Sequence, residues 1–211
     1  MAPQTPIRVY GRKNSINVQK VLWCCAELGV PFEQINRGGE FGGTATPEYR
    51  AMNPTGRVPT IDDNGFVLWE SNAIVRYLAA RYGMGKLCPQ DERARASADR
   101  WMDWQLVTVW RSLQPAFQNL VRTSPAQRDI NAIEAALRQS TDHFTLLDAH
   151  LKDKRHVIGG AFSMGDIPLG CTAQRWFRLD IERPDLPSLA AWYRRLEERP
   201  AFQQHVDLAL S

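Results

Sequence analysis

Ser71 stands where a helix must begin, and the stretch from Asn53 to Ala80 is built around it. Thr60-Ile61 and Phe66-Val67-Leu68 flank Asn64-Gly65, the signature of a tight hairpin. Ala73, Ile74, Tyr77 and Leu78 then recur at the spacing of one helix face. The N-terminus of that helix, at Glu70-Ser71, exposes unpaired backbone N–H groups and partial positive charge, so it attracts an anion. Pro59 lies just before the first of these strands and is placed for a cis bond, which X-Pro tolerates where other pairs do not. A cis bond there turns the Val58 backbone outward, its N–H and C=O free to pair with an extended ligand. The chemistry is that of a peptide-binding edge beside a carboxylate-binding helix end. Ser15, in the first strand–helix loop, offers a hydroxyl; read alone, it caps the first helix, as Ser often does.

Other chemistries are poorly served. Cys24, Cys25, Cys88 and Cys171 form no Cys-x-x-Cys pair and read as reduced thiols, not a zinc site or a disulfide framework. His143, His150, His156 and His205 are scattered without ligand spacing, so no metal is expected. The net charge is +3, and the densest basic run, Arg93, Arg95 and Arg100, is interleaved with Asp91, Glu92 and Asp99. That is a solvated helix face and not the clustered basic surface of a nucleic-acid binder. No run of about 18 apolar residues predicts a membrane helix. Met1 to Pro6 carry neither the basic nor the apolar region of a signal peptide, so a cytoplasmic protein is expected. Of the 211 residues, 44% are hydrophobic, enough for a core.

The elements that must position the site follow in order. Ile7 to Tyr10 alternates as a strand. Val18, Val21, Leu22, Cys25 and Leu28 make a helical stripe that ends at Gly29-Val30-Pro31. Phe32 to Asn36 is a second strand, and the strand–helix–strand order implies a parallel pair. Gly38 to Gly43 is a flexible loop, and Thr46-Pro47 caps a short helix. With the hairpin and its helix this gives β-α-β-α-β-β-α, an α/β layer of thioredoxin-like type spanning 1–83. Gly83 to Pro89 is a linker. An all-helical unit, 90–211, follows. Its first helix runs from Asp91 to Val121 with Trp101, Trp104, Val107 and Leu113 on one side. A second opens at Ser124-Pro125. Ser163 and Asp166 form a capping box before a buried helix, and Arg199-Pro200-Ala201-Phe202 starts the last one.

Asn53-Pro54-x-Gly56-x-Val58-Pro59 followed by Glu70-Ser71-x-Ala73-Ile74 closely resembles the glutathione-binding half of the glutathione transferase family. The Ser163–Asp166 box and Arg199-Pro200-Ala201-Phe202 match the family's second domain, so the resemblance covers the whole chain. It implies the glutathione transferase fold, glutathione as co-substrate, a small electrophile as the second substrate, and a cytosolic homodimer. The interface is then expected near the helix after Glu70-Ser71 and the first long helix of the second domain.

A free thiol has a pKa of about 8.5 and is mostly protonated at neutral pH. A hydroxyl or amide aimed at sulfur from a helix N-terminus stabilises the thiolate. Ser15 occupies the place of the catalytic Ser of the phi, theta and delta classes, where it would donate a hydrogen bond to sulfur. Ser15-x-Asn17 also resembles the Thr-x-Asn of the bacterial nu class, which leaves Asn17 as a rival. Tyr10, at the end of the strand, is expected to pack. Cys24 and Cys25 lie too deep in the helix to act as the catalytic Cys of other classes. The resemblance assigns Val58 to pair with the cysteinyl backbone, Ser71 to bind the γ-glutamyl carboxylate, Glu70 to face its ammonium and Arg57 to reach a carboxylate. Phe41 would cover the glycyl end. Arg12, Phe41, Trp104, Trp110 and Arg111 are candidates for the second substrate, and arginines there would favour an anionic or polar electrophile. Glutathione-dependent disulfide reduction and a noncatalytic glutathione-binding module are the rival functions.

Overall fold

The computed structural model describes residues 5–211; of the N-terminal stretch read for a signal peptide, Met1 to Gln4 lie outside the described residues. Ile7 and Val9 turn inward from strand β1 (Ile7–Tyr10), which pairs in parallel with β2 (Phe32–Ile35) through helix α1 (Ile16–Leu28). Gly29 ends α1 at φ 63°, and the N–H groups of Gly29 and Val30 return to Ala26 and Cys25. That left-handed cap is why the helix stops one residue before Val30-Pro31. Strands β3 (Thr60–Asp63) and β4 (Phe66–Trp69) add antiparallel to the other edge of β1, giving the order β2-β1-β3-β4. Asn64 and Gly65 make the two-residue turn between them at φ 53° and 92°. Helix α2 (Pro47–Met52) starts at Thr46, whose Oγ1 accepts the Tyr49 N–H, and α3 (Ser71–Tyr82) follows β4. The loop expected at Gly38 to Gly43 contains a 3-10 turn, Gly39–Phe41, closed by Gly38 N–H on the Gly42 carbonyl at 2.7 Å.

The second half is helical. The first long helix is α4 (Glu92–Trp104), a π turn (Gln105–Val109), α5 (Trp110–Phe117) and a further π turn (Gln118–Arg122). The expected shared face fails here: Val107 is 60% exposed. A π turn carries an i→i+5 bond, here Trp110 N–H to the Gln105 carbonyl, and slips the 3.6-residue register. A second correction concerns the next helix. Ser124-Pro125 opens only a 3-10 turn, and α6 (Ile130–Leu151) starts at Asp129, whose carboxylate caps Ala132. α7 (Asp166–Arg178), α8 (Pro187–Glu197) and α9 (Pro200–His205) complete the chain.

The two halves join across α1, which packs on α3 on one side and on α7 and α9 on the other. Trp23 of α1 is fully buried and meets Phe202 of α9 edge-on at 5.0 Å. A Cβ at Gly170 in α7 would lie 2.9 Å from the Trp23 ring and 2.8 Å from Leu196, so this crossing needs glycine. Lys20 is buried at the same seam, donating to Asn72 Oδ1 at 3.3 Å and Gln105 Oε1 at 3.1 Å. Desolvation lowers it to about 8. No helix among the described residues is long and apolar enough to cross a membrane.

Candidate active site

Backbone geometry prepares the first wall of the site. Asn53 is buried, and its Oδ1 accepts the Thr55 N–H and hydroxyl at 3.1 and 2.7 Å. Its Nδ2 donates to the Arg57 carbonyl at 2.8 Å and to Thr60 Oγ1 at 3.0 Å. The Tyr49 hydroxyl donates to the same Arg57 carbonyl at 2.7 Å. This turn, with Gly56 at φ 63°, delivers Val58 and a cis Val58-Pro59 bond, as the sequence led us to expect. The Val58 N–H and C=O make no hydrogen bond among the described residues.

The second wall is the start of α3. Glu70 has φ 72°, uncommon for a residue with a Cβ, and its side chain is exposed and makes no capping bond. Ser71 is buried, and its hydroxyl donates to Asn17 Oδ1 at 3.1 Å. Asn17 therefore ties the first turn of α1 to the first turn of α3.

Ser15 forms the third. It occupies the N-cap position of α1 with extended backbone (φ −77°, ψ 125°), yet its side chain does not cap the helix. Its hydroxyl makes no hydrogen bond among the described residues and lines the cleft. The side-chain cap therefore does not form, and the hydroxyl sits beside the unpaired N–H groups of α1, open to the cleft.

Two adjoining cavities of about 330 and 360 Å³ occupy this cleft between the halves. The first holds Ser15 and Arg12, the second Glu70, Ser71 and Arg111, and Asn17, Arg57, Val58 and Trp110 border both. The structure thus brings together all but two of the expected residues. Phe41 is 49% exposed and borders neither cavity. Trp104 points the other way, against Trp101 at 5.2 Å and His143 at 6.1 Å. Tyr10 packs edge-on against Tyr49, and Cys24 and Cys25 are fully buried, with desolvation raising the first thiol well above its usual range and the second to about 12. Sequence reasoning missed Gln114, which borders both cavities, and Gln118, Arg122 and Arg175 in the first. Their placement depends on how α5 and α7 cross, which no local pattern encodes. Among the described residues no group of three or more His, Cys, Asp or Glu is arranged to hold a metal ion.

A thioredoxin-like layer with a cis-proline edge, joined to a helical bundle across a cleft, defines a class that comparison with known proteins makes explicit. Residues 5–80 match the glutathione S-transferase N-terminal domain and residues 130–195 the glutathione S-transferase C-terminal domain. The chain is 41% identical to glutathione S-transferase GstB of Escherichia coli K12, over 97% of this chain and all of that one. Among solved structures, it is similar to a theta class glutathione S-transferase of Xanthomonas axonopodis pv. citri with glutathione bound. That match has TM-score 0.95 and 51% identity, and covers 98% of this chain and all of the other. A Bombyx mori glutathione transferase matches with TM-score 0.87 at 27% identity, over 98% and 95% of the two chains. This chain belongs to the glutathione S-transferase family.

Proposed function

We propose that the chain conjugates glutathione to a small electrophile with Ser15 as the group that stabilises the thiolate. The observation that carries this is the Ser15 hydroxyl, free of any capping bond and facing the cleft at the N-terminus of α1. The cysteinyl backbone pairs with Val58, whose N–H and C=O are unused. The γ-glutamyl carboxylate takes the N-terminus of α3 at Ser71, and Glu70 faces the ammonium. Arg57, exposed and bordering both cavities, reaches a carboxylate of the tripeptide. The thiol loses its proton to solvent, and Ser15 donates its hydroxyl hydrogen to the sulfur. The sulfur forms a bond to the electrophilic carbon, and the leaving group departs with the bonding pair or, in an addition, the new carbanion is protonated. Ser15 is neither nucleophile nor base.

Asn17 has a different part in this reading: it holds the Ser71 hydroxyl, so it orients the carboxylate site and not the sulfur. Trp110 and Arg111 remain in the second-substrate role with Arg12. We further place the unit boundaries at 1–83 and 90–211 and assign a homodimer in the cytoplasm, supported by family membership. The rival readings, disulfide reduction and noncatalytic binding, find no separate support, and all four cysteines are buried. Retention on immobilised glutathione, followed by assay with an aryl halide, a disulfide, a peroxide and an isomerisable substrate, tests the assignment. Turnover of the aryl halide is expected; retention with turnover of the disulfide alone would replace transfer by reduction.

A further inference from the structure

Arg12, Arg122 and Arg175 converge on the first cavity from three separate elements: the β1–α1 loop, the π turn after α5, and the body of α7. No Asp or Glu borders that cavity. Among the described residues, none of the three arginines makes an ion pair with an acidic side chain. The bonds of Arg12 and Arg175 go to neutral groups. Arg12 Nη1 donates to Asn14 Oδ1 at 2.8 Å, and Arg175 Nη1 to the Cys171 carbonyl at 3.2 Å. Arg122 Nε and Nη2 donate to the Ser211 main-chain oxygen at 3.3 and 3.0 Å. Arg175 is only 3% exposed, and the Nε atoms of Arg12 and Arg175 are buried without any partner.

A guanidinium buried without a counter-charge, as Arg175 is, is costly, and the half-buried Arg12 and exposed Arg122 around the same hollow add to that cost by repulsion. Desolvation lowers Arg175 to about 10 and, with Arg12 beside it, lowers Arg122 too. Arg175 is therefore still protonated at neutral pH, so the cavity is strongly positive. An anion is what would fill the unused donors, and a carboxylate fits the planar fork of a guanidinium.

We propose that the second substrate of this transferase carries a carboxylate, which Arg122 and Arg175 grip with Arg12 beside them, on the cavity that Ser15 also borders. The inference rests on the transferase reading above and narrows its electrophile to an anionic class. With an aryl halide of that class, the sulfur–carbon bond forms, the carbon–halogen bond breaks and halide leaves with its electron pair.

The test is a titration of the full chain saturated with S-methylglutathione, which lacks a thiol and cannot react. Into it go 3-nitrobenzoate and, separately, its uncharged counterpart 3-nitrobenzamide. The benzoate is expected to bind at least roughly tenfold tighter, the scale of a charge-assisted pair. Arg122→Gln and Arg175→Gln are each expected to bring that ratio close to one, with circular dichroism confirming the fold; if Arg175→Gln does not fold, Arg122→Gln decides. Equal affinities in the unaltered protein, or an undiminished ratio in Arg122→Gln, would overturn the proposal. So would displacement of nitrobenzoate by S-methylglutathione, because the arginines would then serve the tripeptide's own carboxylate. Failure of S-methylglutathione to bind would count against the transferase reading instead, and titration of nitrobenzoate alone would still test the arginines. In turnover, 4-chloro-3-nitrobenzoate is expected to exceed 4-chloro-3-nitrobenzamide in kcat/KM, each divided by its uncatalysed rate, and the reverse order contradicts the assignment.

Discussion

At the scale of single residues, Glu70 carries a conflict between stability and binding. Its positive φ costs of order 1–3 kcal/mol for a residue with a Cβ, a strain that recurs at functional sites. Glu70→Gly removes that strain and adds back some entropy to the unfolded chain. The expected outcome is a gain of about 1 kcal/mol in urea denaturation together with a raised KM for glutathione. A variant less stable than the original would show that the strain is not there to release. Ser71→Ala is expected to weaken glutathione binding roughly tenfold by removing a donor to a carboxylate, read by calorimetric titration. Asn17→Ala should act in the same direction, since it releases the Ser71 hydroxyl. The placement of Ser15, Val58, Glu70 and Ser71 at the cleft was legible because each position is set by local backbone: a helix start, a turn, a residue before proline. Phe41 and Trp104 were not, since the first depended on how a glycine-rich loop folds and the second on which side of a helix faces the cleft.

Among the elements, α7 is held by one buried carboxylate. Asp166 accepts the N–H of Ser163 at 2.9 Å, the N–H of Val157 at 3.0 Å, the Ser163 hydroxyl at 3.1 Å and the Trp192 ring N–H at 2.9 Å. The capping box was readable from Ser163 and Asp166, but only half of it forms. The Ser163 hydroxyl accepts the Gly165 N–H at 3.3 Å, while the Asp166 N–H bonds to the Ser163 carbonyl. The links to Val157 and Trp192 come from distant chain and left no local signal. Asp166→Ala strands four donors and is expected to cost roughly 3 kcal/mol or more, against about 1 kcal/mol for Ser163→Ala, both by chemical denaturation. Similar losses would mean that Asp166 is no more than a cap. The long first helix was read correctly in extent, but its π turns were invisible, because hydrophobic spacing assumes 3.6 residues per turn throughout. The slip at Gln105–Val109 lies immediately before Trp110 and Arg111, which face the cleft, while Trp104 faces α6.

On the scale of the whole molecule, the two halves were legible as an α/β layer and a helical unit, while the seam between them was not. Lys20 lies outside the apolar stripe of its helix, yet it is buried with no acidic side chain bonded to it. Its pKa falls to about 8 in the fold, from an ordinary value near 10.5. The unfolded chain therefore binds more protons above pH 8, and folding stability gains from Lys20 as pH rises from there towards 10.5. Cys25 and Cys171, raised by burial to about 12, oppose this above about pH 9, where the unfolded thiols ionise. Comparison with Lys20→Met isolates the lysine. Between pH 7 and 9 the original protein is expected to gain roughly 1 kcal/mol relative to the variant, and parallel profiles would place the lysine's pKa elsewhere. The seam also sets α1, and with it Ser15, against the cleft, and on that placement the proposed chemistry depends. The most direct test is ultraviolet titration of the bound glutathione thiolate in the unaltered protein, in Ser15→Ala and in Asn17→Ala. The account predicts that Ser15→Ala alone raises the thiol pKa, by roughly one to two units, while Asn17→Ala weakens binding and leaves the titration in place. An unchanged titration in Ser15→Ala, with the shift appearing in Asn17→Ala, would contradict it.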